Sequence, residues 1–382
     1  METALLVLAI LTTLMLAGAA VDFALGFRQL RSLSGFAPSG GGPRVSIVAP
    51  ARNEARNIEA AVISLLRLDY PDLEIIVVDD RSTDDTGAIL ERLAREHQRL
   101  RVVHVAELPA GWLGKNHALQ LGAGAASGSL LLFTDADVIF EPTAVRRAVA
   151  LMEHDGLDHL AVIPDVHVPG LALNAFVTAF SVFFSLYARP WKARDPRSRH
   201  HIGIGAFNLI RADVYRAIGG HNPIALRPDD DLKLGKLIKT RGYRQDAAFG
   251  NGFLSVEWYA SIPEAIDGLM KNAFAGVNYS LWAVIGSTTG LFLVNVWPFV
   301  ALLVTDGATR AFNAVNVALI VGIVWNSARF SPKALAGVIG YPFAAILFGY
   351  IIWRSALIAL LTGTVTWRGT AYPLSDLRAN RV

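Results

Sequence analysis

Long stretches without any charged residue are the feature that most restricts how this chain can fold. They cover residues 3–21, 281–304, 311–328 and 334–353. Each approaches the roughly 20 apolar residues that a helix needs to cross the hydrocarbon core of a bilayer. Over the whole chain of 382 residues, 53% are hydrophobic and 18% are charged, against about 45–50% and about 25% in typical soluble domains. A purely soluble enzyme and a disordered chain are therefore both disfavoured.

The first stretch predicts an N-terminal membrane anchor over residues 1–27. No Lys or Arg precedes it, whereas Arg28 and Arg31 follow it, so the N-terminus is expected outside and the following domain in the cytoplasm. A cleaved signal peptide is the alternative, favoured by small residues at 17–20 but not by the acidic start. Residues 28–43 are predicted to be a linker. The expectation is an integral protein of a bacterial-type cytoplasmic membrane.

Charge and cysteine content exclude several classes of protein. There are 35 basic and 32 acidic residues, and a formal charge of +3 is too small a surplus to indicate a nucleic-acid partner. The absence of cysteine excludes disulfide frameworks, zinc–thiolate sites, iron–sulfur clusters and cysteine nucleophiles. Any metal must therefore be bound by oxygen atoms or imidazole nitrogens.

From residue 44 onward, strand-like and helix-like segments alternate. The predicted strands are 45–50, 74–80, 101–107 and 129–137, and the predicted helices between them are 57–68 and 83–97. This spacing predicts an α/β fold with a parallel sheet and with functional sites at the carboxyl ends of the strands. The polar clusters of the sequence lie at those ends.

The first polar cluster combines residues 50–54 (PARNE), after the first strand, with residues 79–85 (DDRSTDD), after the second. Backbone groups after the first strand and a carboxylate after the second, Asp80 or Asp79, could hold a nucleotide base and its ribose. The alternative is that the two aspartates only cap the next helix.

The second cluster is Asp135-Ala136-Asp137, which closes a buried strand. Hard divalent cations such as Mg²⁺ or Mn²⁺ bind one or two carboxylates together with phosphate oxygens of a substrate. An isolated Asp-x-Asp is common on surface turns, but its position after an apolar strand favours a metal site.

The third cluster is Asp229-Asp230-Asp231, followed by an amphipathic helix over 232–244. Carboxylates at the start of a helix are stabilised by its dipole, so a helix cap is one reading. The other is a general base whose pKa a neighbouring carboxylate raises. The sequence leaves both open.

Two glycine-containing segments add weaker candidates. In residues 109–118 (PAGWLGKNHA), Lys115 could contact a phosphate, or the segment could be a surface loop. In residues 200–211 (HHIGIGAFNLIR), glycines at 203 and 205 would let the backbone approach another group closely. The two histidines of this segment are interpreted as polar loop residues.

The remaining apolar segments leave the membrane topology open. Residues 171–188 are uncharged and precede a basic-aromatic patch, but a crossing there would separate the carboxylates at 135–137 from those at 229–231. We therefore expect this segment to lie along the membrane interface, within 171–199, or to pack as a core helix. The region 281–366 is predicted to hold two to four membrane segments, of which the last could be re-entrant.

Taken together, the motifs resemble those of the family 2 glycosyltransferases. The matching segments, in order, are VSIVAPARNE, IIVVDDRSTDDT, PAGWLGK, LLFTDADV, GIGAFNLIR and DDLKLG, over about 45–244. The resemblance implies the A-type nucleotide-sugar transferase fold for a cytoplasmic domain over 44–280. The apolar ends and the tail over 367–382, with its WRGTAY motif, look most like the membrane-bound branch that includes hopanoid-associated, carotenoid and ceramide glycosyltransferases.

The resemblance also implies roles for individual residues. Nucleotide-sugar contacts are implied for Pro50, Ala51, Glu54 and Asp80. Asp79, the neighbour of Asp80, is a further candidate for such a contact. Asp135 and Asp137 correspond to the carboxylates that bind the metal, Mg²⁺ or Mn²⁺, and the diphosphate. Asp231 corresponds to the catalytic base, with Asp230 in the place of the family's glutamate. The family reaction is inverting, and the implied partners are a nucleotide-diphosphate sugar and a lipid-like acceptor.

One departure from the family concerns the product. Processive polysaccharide synthases carry Gln-x-x-Arg-Trp after the base, whereas the comparable region here reads GLMKNAFAG (268–276), in which Lys271 could supply a cation to the leaving diphosphate. Single transfer to a lipid is therefore expected. A processive synthase and a non-catalytic membrane scaffold remain the alternatives; a dinucleotide oxidoreductase is disfavoured because no Gly-x-Gly-x-x-Gly follows the first strand.

Overall fold

The computed structural model describes residues 2–328 and 334–382; the parts of the predicted segments 1–27 and 281–366 that fall on residues 1 and 329–333 lie outside the described residues. The chain divides into two compact units. The helical unit contains the described residues of Met1–Gln29, Val168–Arg189 and Tyr259–Arg378. The sheet unit contains Leu30–His167, Pro190–Trp258 and Ala379–Val382.

The α-helices, in chain order, are α1 (Glu2–Gln29), α2 (Ile58–Leu66), α3 (Thr86–Glu96), α4 (Gly114–Ala125), α5 (Ala144–Asp155), α6 (Leu171–Ala188), α7 (Ala212–Ala217), α8 (Asp230–Thr240), α9 (Ile262–Gly276), α10 (Leu281–Asn295), α11 (Trp297–Val304), α12 (Gly307–Ala328), α13 (Ala334–Thr362) and α14 (Leu374–Ala379). Short 3₁₀ turns occur at Leu33–Gly35, Pro190–Lys192 and Asn222–Ile224.

The strands are β1 (Arg31–Ser32), β2 (Val45–Ala51), β3 (Leu73–Asp80), β4 (Leu100–Val105), β5 (Leu130–Phe133), β6 (Val138–Phe140), β7 (His159–Ile163), β8 (Asp165–His167), β9 (Asn208–Arg211), β10 (Gln245–Phe249), β11 (Leu254–Glu257), β12 (Thr364–Trp367) and β13 (Thr370–Pro373). The main sheet has the order β1-β10-β7-β9-β5-β2-β3-β4, and its strands are parallel except for β9. A small sheet has the order β6-β11-β8, and β12 and β13 form a hairpin.

The predicted α/β fold with a mostly parallel sheet is confirmed. The strands β2, β3 and β5 are almost continuously apolar because helices cover both faces of a parallel sheet. Their register places Ala51 of β2 beside Asp79 of β3, and Val48 beside Phe133 of β5. The carboxyl ends of the three strands therefore lie at one edge of the sheet, where the predicted polar clusters follow them.

Part of the predicted linker 28–43 belongs to the sheet unit. Arg31 and Ser32 form an edge strand against β10, Leu33 is fully buried, and the guanidinium of Arg147 donates to the carbonyl of Phe36 at 2.6 Å. The Gly- and Pro-rich composition of the segment hides these anchors, since a two-residue strand leaves no periodic pattern.

The helical unit contains helices long and apolar enough to cross a membrane. Within the described residues these are Glu2–Gln29, Leu171–Lys192, Gly307–Ser327 and Leu335–Thr362. A further candidate is the bent pair of α9 and α10, whose axes differ by 114°.

The structure divides the predicted domain 44–280 between the two units. The segment 171–188, expected at the interface or in the core of the catalytic domain, is helix α6 of the helical unit and packs on α13. Small residues permit this contact, because a Cβ at Gly340 would lie 2.4 Å from the Cβ of Ala175. Phe183 adds ring contacts with Tyr341 and Phe348, at centroid distances of 5.6 and 5.5 Å.

The last apolar segment forms one continuous helix over Ala334–Thr362, with Pro342 inside it, rather than a re-entrant hairpin. The break lies earlier, between α10 and α11, where Pro298 begins the new helix. Pro at the first turn of a helix needs no intrahelical N–H donor, which explains why the predicted stretch 281–304 is two helices.

Candidate active site

The loops that follow β2 and β3 are joined by hydrogen bonds at the carboxyl edge of the sheet. The N–H of Asn53 donates to the hydroxyl of Ser82 at 3.0 Å, and the amide oxygen of Asn53 accepts from the N–H of Thr83 at 2.7 Å. The N–H of Glu54 donates to the hydroxyl of Thr86 at 2.8 Å. The structure thus brings the PARNE and DDRSTDD motifs together.

The predicted nucleotide residues Pro50, Ala51 and Glu54 lie at the end of β2 and in the loop after it. Ala51 is buried, and Pro50 and Glu54 are half-buried. Pro50 suits this position because its missing N–H is tolerated where a strand ends.

The structure separates the two aspartates between which the sequence did not choose. The buried carboxylate of Asp80 accepts two hydrogen bonds from the guanidinium of Arg81, at 2.7 and 2.9 Å, and lies 3.5 Å from that of Arg52. The carboxylate of Asp79 instead lies 3.0 Å from Nδ1 of His104. Asp80 is thus paired with two arginines at the sheet edge, and Asp79 connects β3 to β4.

Lys115, in the first turn of α4, lies at the centre of a charged cluster. Its ammonium is 2.8 Å from Oδ1 of Asp135 and 3.5 Å from Oδ1 of Asp230. Burial lowers the pKa of Lys115, but the carboxylates of Asp135, Asp230 and Asp231 raise it by more, so the ammonium stays charged. Lys115 thus connects the Asp-x-Asp motif with the start of α8.

The carboxylate of Asp231 is held by two backbone N–H groups. Its Oδ2 accepts from Gly205 at 2.8 Å and its Oδ1 from Leu232 at 2.7 Å. Burial, and next the neighbouring Asp230, raise the pKa of Asp231 to about 7, although Lys115 opposes them. A carboxylate with this pKa is suited to accept a proton from a hydroxyl near neutral pH.

The three consecutive acids therefore have different environments. Asp229 is the helix-cap residue, and its carboxylate is bound by the guanidinium of Arg227 at 2.8 Å through both oxygens. Asp230 is buried beside Lys115. Asp229 occupies the cap position, but its carboxylate makes no cap hydrogen bond and binds Arg227 instead, whereas Asp231 is directed to Gly205.

Close backbone contacts explain the glycines of the HHIGIG segment. A Cβ at Gly203 would lie 1.8 Å from the carbonyl oxygen of Asp231, and one at Gly205 would lie 2.6 Å from Oδ2 of Asp135. On the opposite side, a Cβ at Gly235 would lie 1.9 Å from the carbonyl oxygen of Ile202. The predicted close approach at 203 and 205 is confirmed, and its partners are α8 and the Asp-x-Asp turn.

Asp137 is the second acid of the Asp-x-Asp turn. Burial, and next the carboxylates of Asp135 and Glu54, raise the pKa of Asp137 to about 7. Among the described residues, no group of three or more histidines and acids is arranged to hold a metal ion by itself. Asp135 and Asp137 provide the hard oxygen ligands that Mg²⁺ and Mn²⁺ prefer.

Hydrogen bonds fix the protonation of His221, which the sequence analysis did not single out. Its backbone N–H donates to Oε1 of Gln120 at 2.8 Å, and the hydroxyl of Tyr215 donates to the same oxygen at 3.1 Å. The Tyr215 oxygen must then accept from Nδ1 of His221, 2.7 Å away. Burial, with the nearby charge of Lys115, lowers the pKa of His221 to about 3, so the ring is neutral with an unprotonated Nε2.

A small cavity joins these groups. It is lined by Lys115, Leu119, Phe133, Thr134, Asp135, Gly205, Asn208, His221, Asp230, Asp231 and Leu234. The structure therefore brings the predicted acids at 135, 230 and 231 together around the predicted lysine.

Lys271 is placed in α9 of the helical unit, where its ammonium lies over the ring of Trp367 at 4.2 Å from the centroid. This pair is a cation–π contact, because the ring face attracts a cation. The suggested contact with a diphosphate stays a prediction.

Three residues of the site carried no sequence signal that pointed to it. Asn116 and Arg227 are buried polar residues that hold the turn before α8, and His221 lines the cavity. The position of Asn116 directly after Lys115, in a glycine-containing loop, is the one hint that the sequence offered.

Comparisons with known proteins bear on the family and the fold. Residues 46–219 match the family described as Glycosyl transferase family 2. The 4,4'-diaponeurosporenoate glycosyltransferase of Staphylococcus aureus (strain USA300) is 22% identical over 344 residues, which cover 87% of this chain and 88% of that protein.

Among solved structures, a mannosyltransferase of Pyrobaculum calidifontis, solved in complex with GDP-Man and Mn²⁺, has a similar fold. The TM-score is 0.55 and the identity 19%, covering 94% of this chain and 99% of that one. Residues 46–219 therefore form a family 2 glycosyltransferase domain, and its fold is the A-type α/β fold of glycosyltransferases.

Proposed function

We propose that this chain is an inverting glycosyltransferase that moves a sugar from a nucleotide-diphosphate sugar to a hydroxyl of a lipid-like acceptor at the membrane. The observation that carries the proposal is the cluster in which Lys115 lies between Asp135 and the acids of α8, with Asp231 held by backbone N–H groups. This arrangement supports a donor phosphate and a base for the acceptor around one cation, the ammonium of Lys115.

For the donor, the joined loops after β2 and β3 offer contacts from Pro50, Ala51, Glu54 and Asp80 to the nucleotide. Lys115 can neutralise charge on the diphosphate, because an ammonium in a partly buried site interacts strongly with phosphate. The mannosyltransferase with a similar fold binds GDP-Man, which supports a nucleotide sugar as donor here.

A divalent cation, Mg²⁺ or Mn²⁺, fits the residues present. Burial is the largest cause of the raised pKa of Asp137, and the carboxylates of Asp135 and Glu54 raise it further, so a cation there would relieve the repulsion among the three. Asp135 and Asp137 would hold it together with phosphate oxygens. When bound, the cation would stabilise negative charge on the leaving diphosphate.

For the transfer itself, Asp231 accepts the proton of the acceptor hydroxyl as the oxygen attacks the anomeric carbon. The bond between that carbon and the diphosphate oxygen breaks on the opposite side, which inverts the configuration. Asp230 supports the base, since its charge raises the pKa of Asp231. In-line geometry of this kind accelerates the reaction because the two reactants are held in the reactive orientation.

For the acceptor, the helical unit supports an amphiphile. Its apolar helices suit anchorage in a bilayer, and the Staphylococcus aureus relative is named for a carotenoid acid. Arg28 and Arg31 after the first helix favour a sheet unit that faces the cytoplasm of a bacterial-type membrane.

The test is the substitution Asp231→Asn in purified enzyme, with Glu96→Gln, an exposed acid on α3, as the matched control. We expect transfer to be lost while calorimetric binding of the nucleotide is retained, and the control to behave as wild type. Retained turnover in Asp231→Asn would overturn the assignment of the base.

A further inference from the structure

The turn over residues 223–227 leads into the acids of α8 and is held on one side by a buried asparagine. The side-chain amide of Asn116 lies 2.7 Å from the carbonyl oxygen of Ile224, 3.2 Å from that of Ala225 and 2.9 Å from that of Arg227. Asn116 is fully buried. Since these three partners only accept, the NH₂ group of the amide must face the turn.

The same backbone carries Lys115 and holds this turn. Asn116 follows Lys115 directly, and the N–H of Leu113 donates to the carbonyl of Ala225 at 2.8 Å. The first turn of α4 is therefore tied to the segment before α8 by side-chain and backbone bonds. The position of the Lys115 ammonium relative to the acids depends on these bonds.

A second asparagine holds the turn from the C-terminal residues. The side-chain oxygen of Asn380 accepts from the N–H of Leu226 at 3.1 Å, and its NH₂ group donates to the carbonyl of Pro223 at 3.0 Å. The ammonium of Lys236 in α8 donates to the carbonyl of Val382 at 2.7 Å. The C-terminal residues thus contact both the turn and α8.

The turn transmits its position to α8 through a rigid pair. Arg227, only 2% exposed, binds both carboxylate oxygens of Asp229, the residue directly before α8. A bidentate pair of this kind fixes distance and orientation together. A shift of the turn would therefore move Asp230 and Asp231 relative to Lys115.

We propose that Asn116 and Asn380 are positioning residues that set the placement of Asp230 and Asp231, an inference that rests on the proposed role of Asp231 as base. Neither asparagine is assigned contact with a reacting atom. Their loss changes the geometry of the base and leaves the donor contacts after β2 and β3 in place. The turnover number falls in both variants, and in the Asn380 variant the KM for the donor stays nearly constant.

Misplacement of a reacting group by about 1 Å can lower a rate by about 10²-fold. For Asn116→Ala, which removes a side-chain donor that three carbonyl oxygens of the turn share, we expect kcat to fall by about 10²-fold. For Asn380→Ala, at a half-buried position, we expect kcat to fall by about 3–10-fold. In Asn380→Ala the KM for the donor should change less than about threefold, since the Asn380 amide bonds only the turn and uniform donor binding is unaffected.

The experiment measures kcat and donor KM per folded enzyme for Asn116→Ala, Asn380→Ala and the control Asn222→Ala. The side-chain amide of Asn222 donates to the carbonyl of Gly219 within its own loop. The proposal requires a kcat loss in Asn380→Ala that the control lacks. Unchanged kcat in Asn380→Ala overturns it, even where Asn116→Ala fails to fold.

A parallel Asp231→Asn variant separates this proposal from the function on which it rests. If Asp231→Asn is inactive and both asparagine variants turn over as wild type, the positioning role is wrong and the base stands. If Asp231→Asn is active, the base assignment itself is wrong.

Discussion

Replacing Asp231 with Asn is expected to stabilise the sheet unit although it removes activity. Burial and the charge of Asp230 raise the pKa of Asp231 from 3.8 to about 7, so the folded protein holds an unfavourable charge above neutral pH. Asn has the same shape and no charge. A residue kept for chemistry rather than for stability should show this trade-off.

The magnitude follows from the pKa shift. A shift of about three units at about 1.4 kcal/mol each gives an upper limit of about 4 kcal/mol. Solvent on the partly exposed side of the carboxylate reduces this to about 2–3 kcal/mol. Asn can accept from only one of the two N–H groups of Gly205 and Leu232, and losing the other bond costs about 1 kcal/mol. The net gain is about 1–2 kcal/mol, or about 2–8 °C in Tm.

The raised pKa also determines how the Tm difference between variant and wild type changes with pH. Because the pKa of Asp231 is raised in the folded state, its contribution to stability is fully present below pH about 3.8 and is lost as the pH rises through about 7. Asn does not titrate. The Tm of the variant should therefore exceed that of wild type at pH 8, and the gap should shrink steadily toward pH 5.

The assay is thermal unfolding of both purified proteins in detergent with EDTA, at several pH values, with Glu96→Gln as control. A variant that is less stable than wild type at pH 8, or a gap that does not change with pH, would refute the reasoning about the buried charge of Asp231.

Three further predictions concern other residues. Lys115→Met should lower transfer by about 10²–10³-fold, since one preorganised cation is lost; steady-state rates near those of wild type would contradict its role. Asp137→Asn should weaken nucleotide binding in the presence of Mg²⁺ or Mn²⁺ but not in EDTA, as titration calorimetry can measure; an equal effect in both would argue against a metal ligand. In this cysteine-free chain, a membrane-impermeant thiol reagent added to intact cells should label Thr3→Cys but not Gln98→Cys, and the reverse pattern would invert the proposed orientation.

The sequence predicted the sheet and its polar edge because both depend on short-range patterns. Apolar runs such as 45–50 end in polar motifs, and parallel strands bring their carboxyl ends together. The acids at 135 and 231 could be found in this way. The ion pairs of Lys115 with Asp135 and Asp230 were not predicted, because contacts between separate loops leave no pattern in the sequence.

The positions of Asn116, His221 and α6 could not be predicted in the same way. Asn116 acts through carbonyl groups more than 100 residues away in sequence, and the protonation of His221 depends on Tyr215 and Gln120. For α6, an apolar stretch of this length fits a membrane helix, an interfacial helix and a core helix alike, and its packing on α13 is seen only in the structure. Long-range contacts leave little periodic signal.

The central claim is transfer of one sugar to a lipid, and mass spectrometry of lipid extracts tests it most directly. Cells that express the wild-type chain should contain one lipid class with an added hexose-sized mass, and cells that express Asp231→Asn or no copy should lack it. The glycosylated lipid in all of these cells, or a long water-soluble polysaccharide in place of it, would contradict this function.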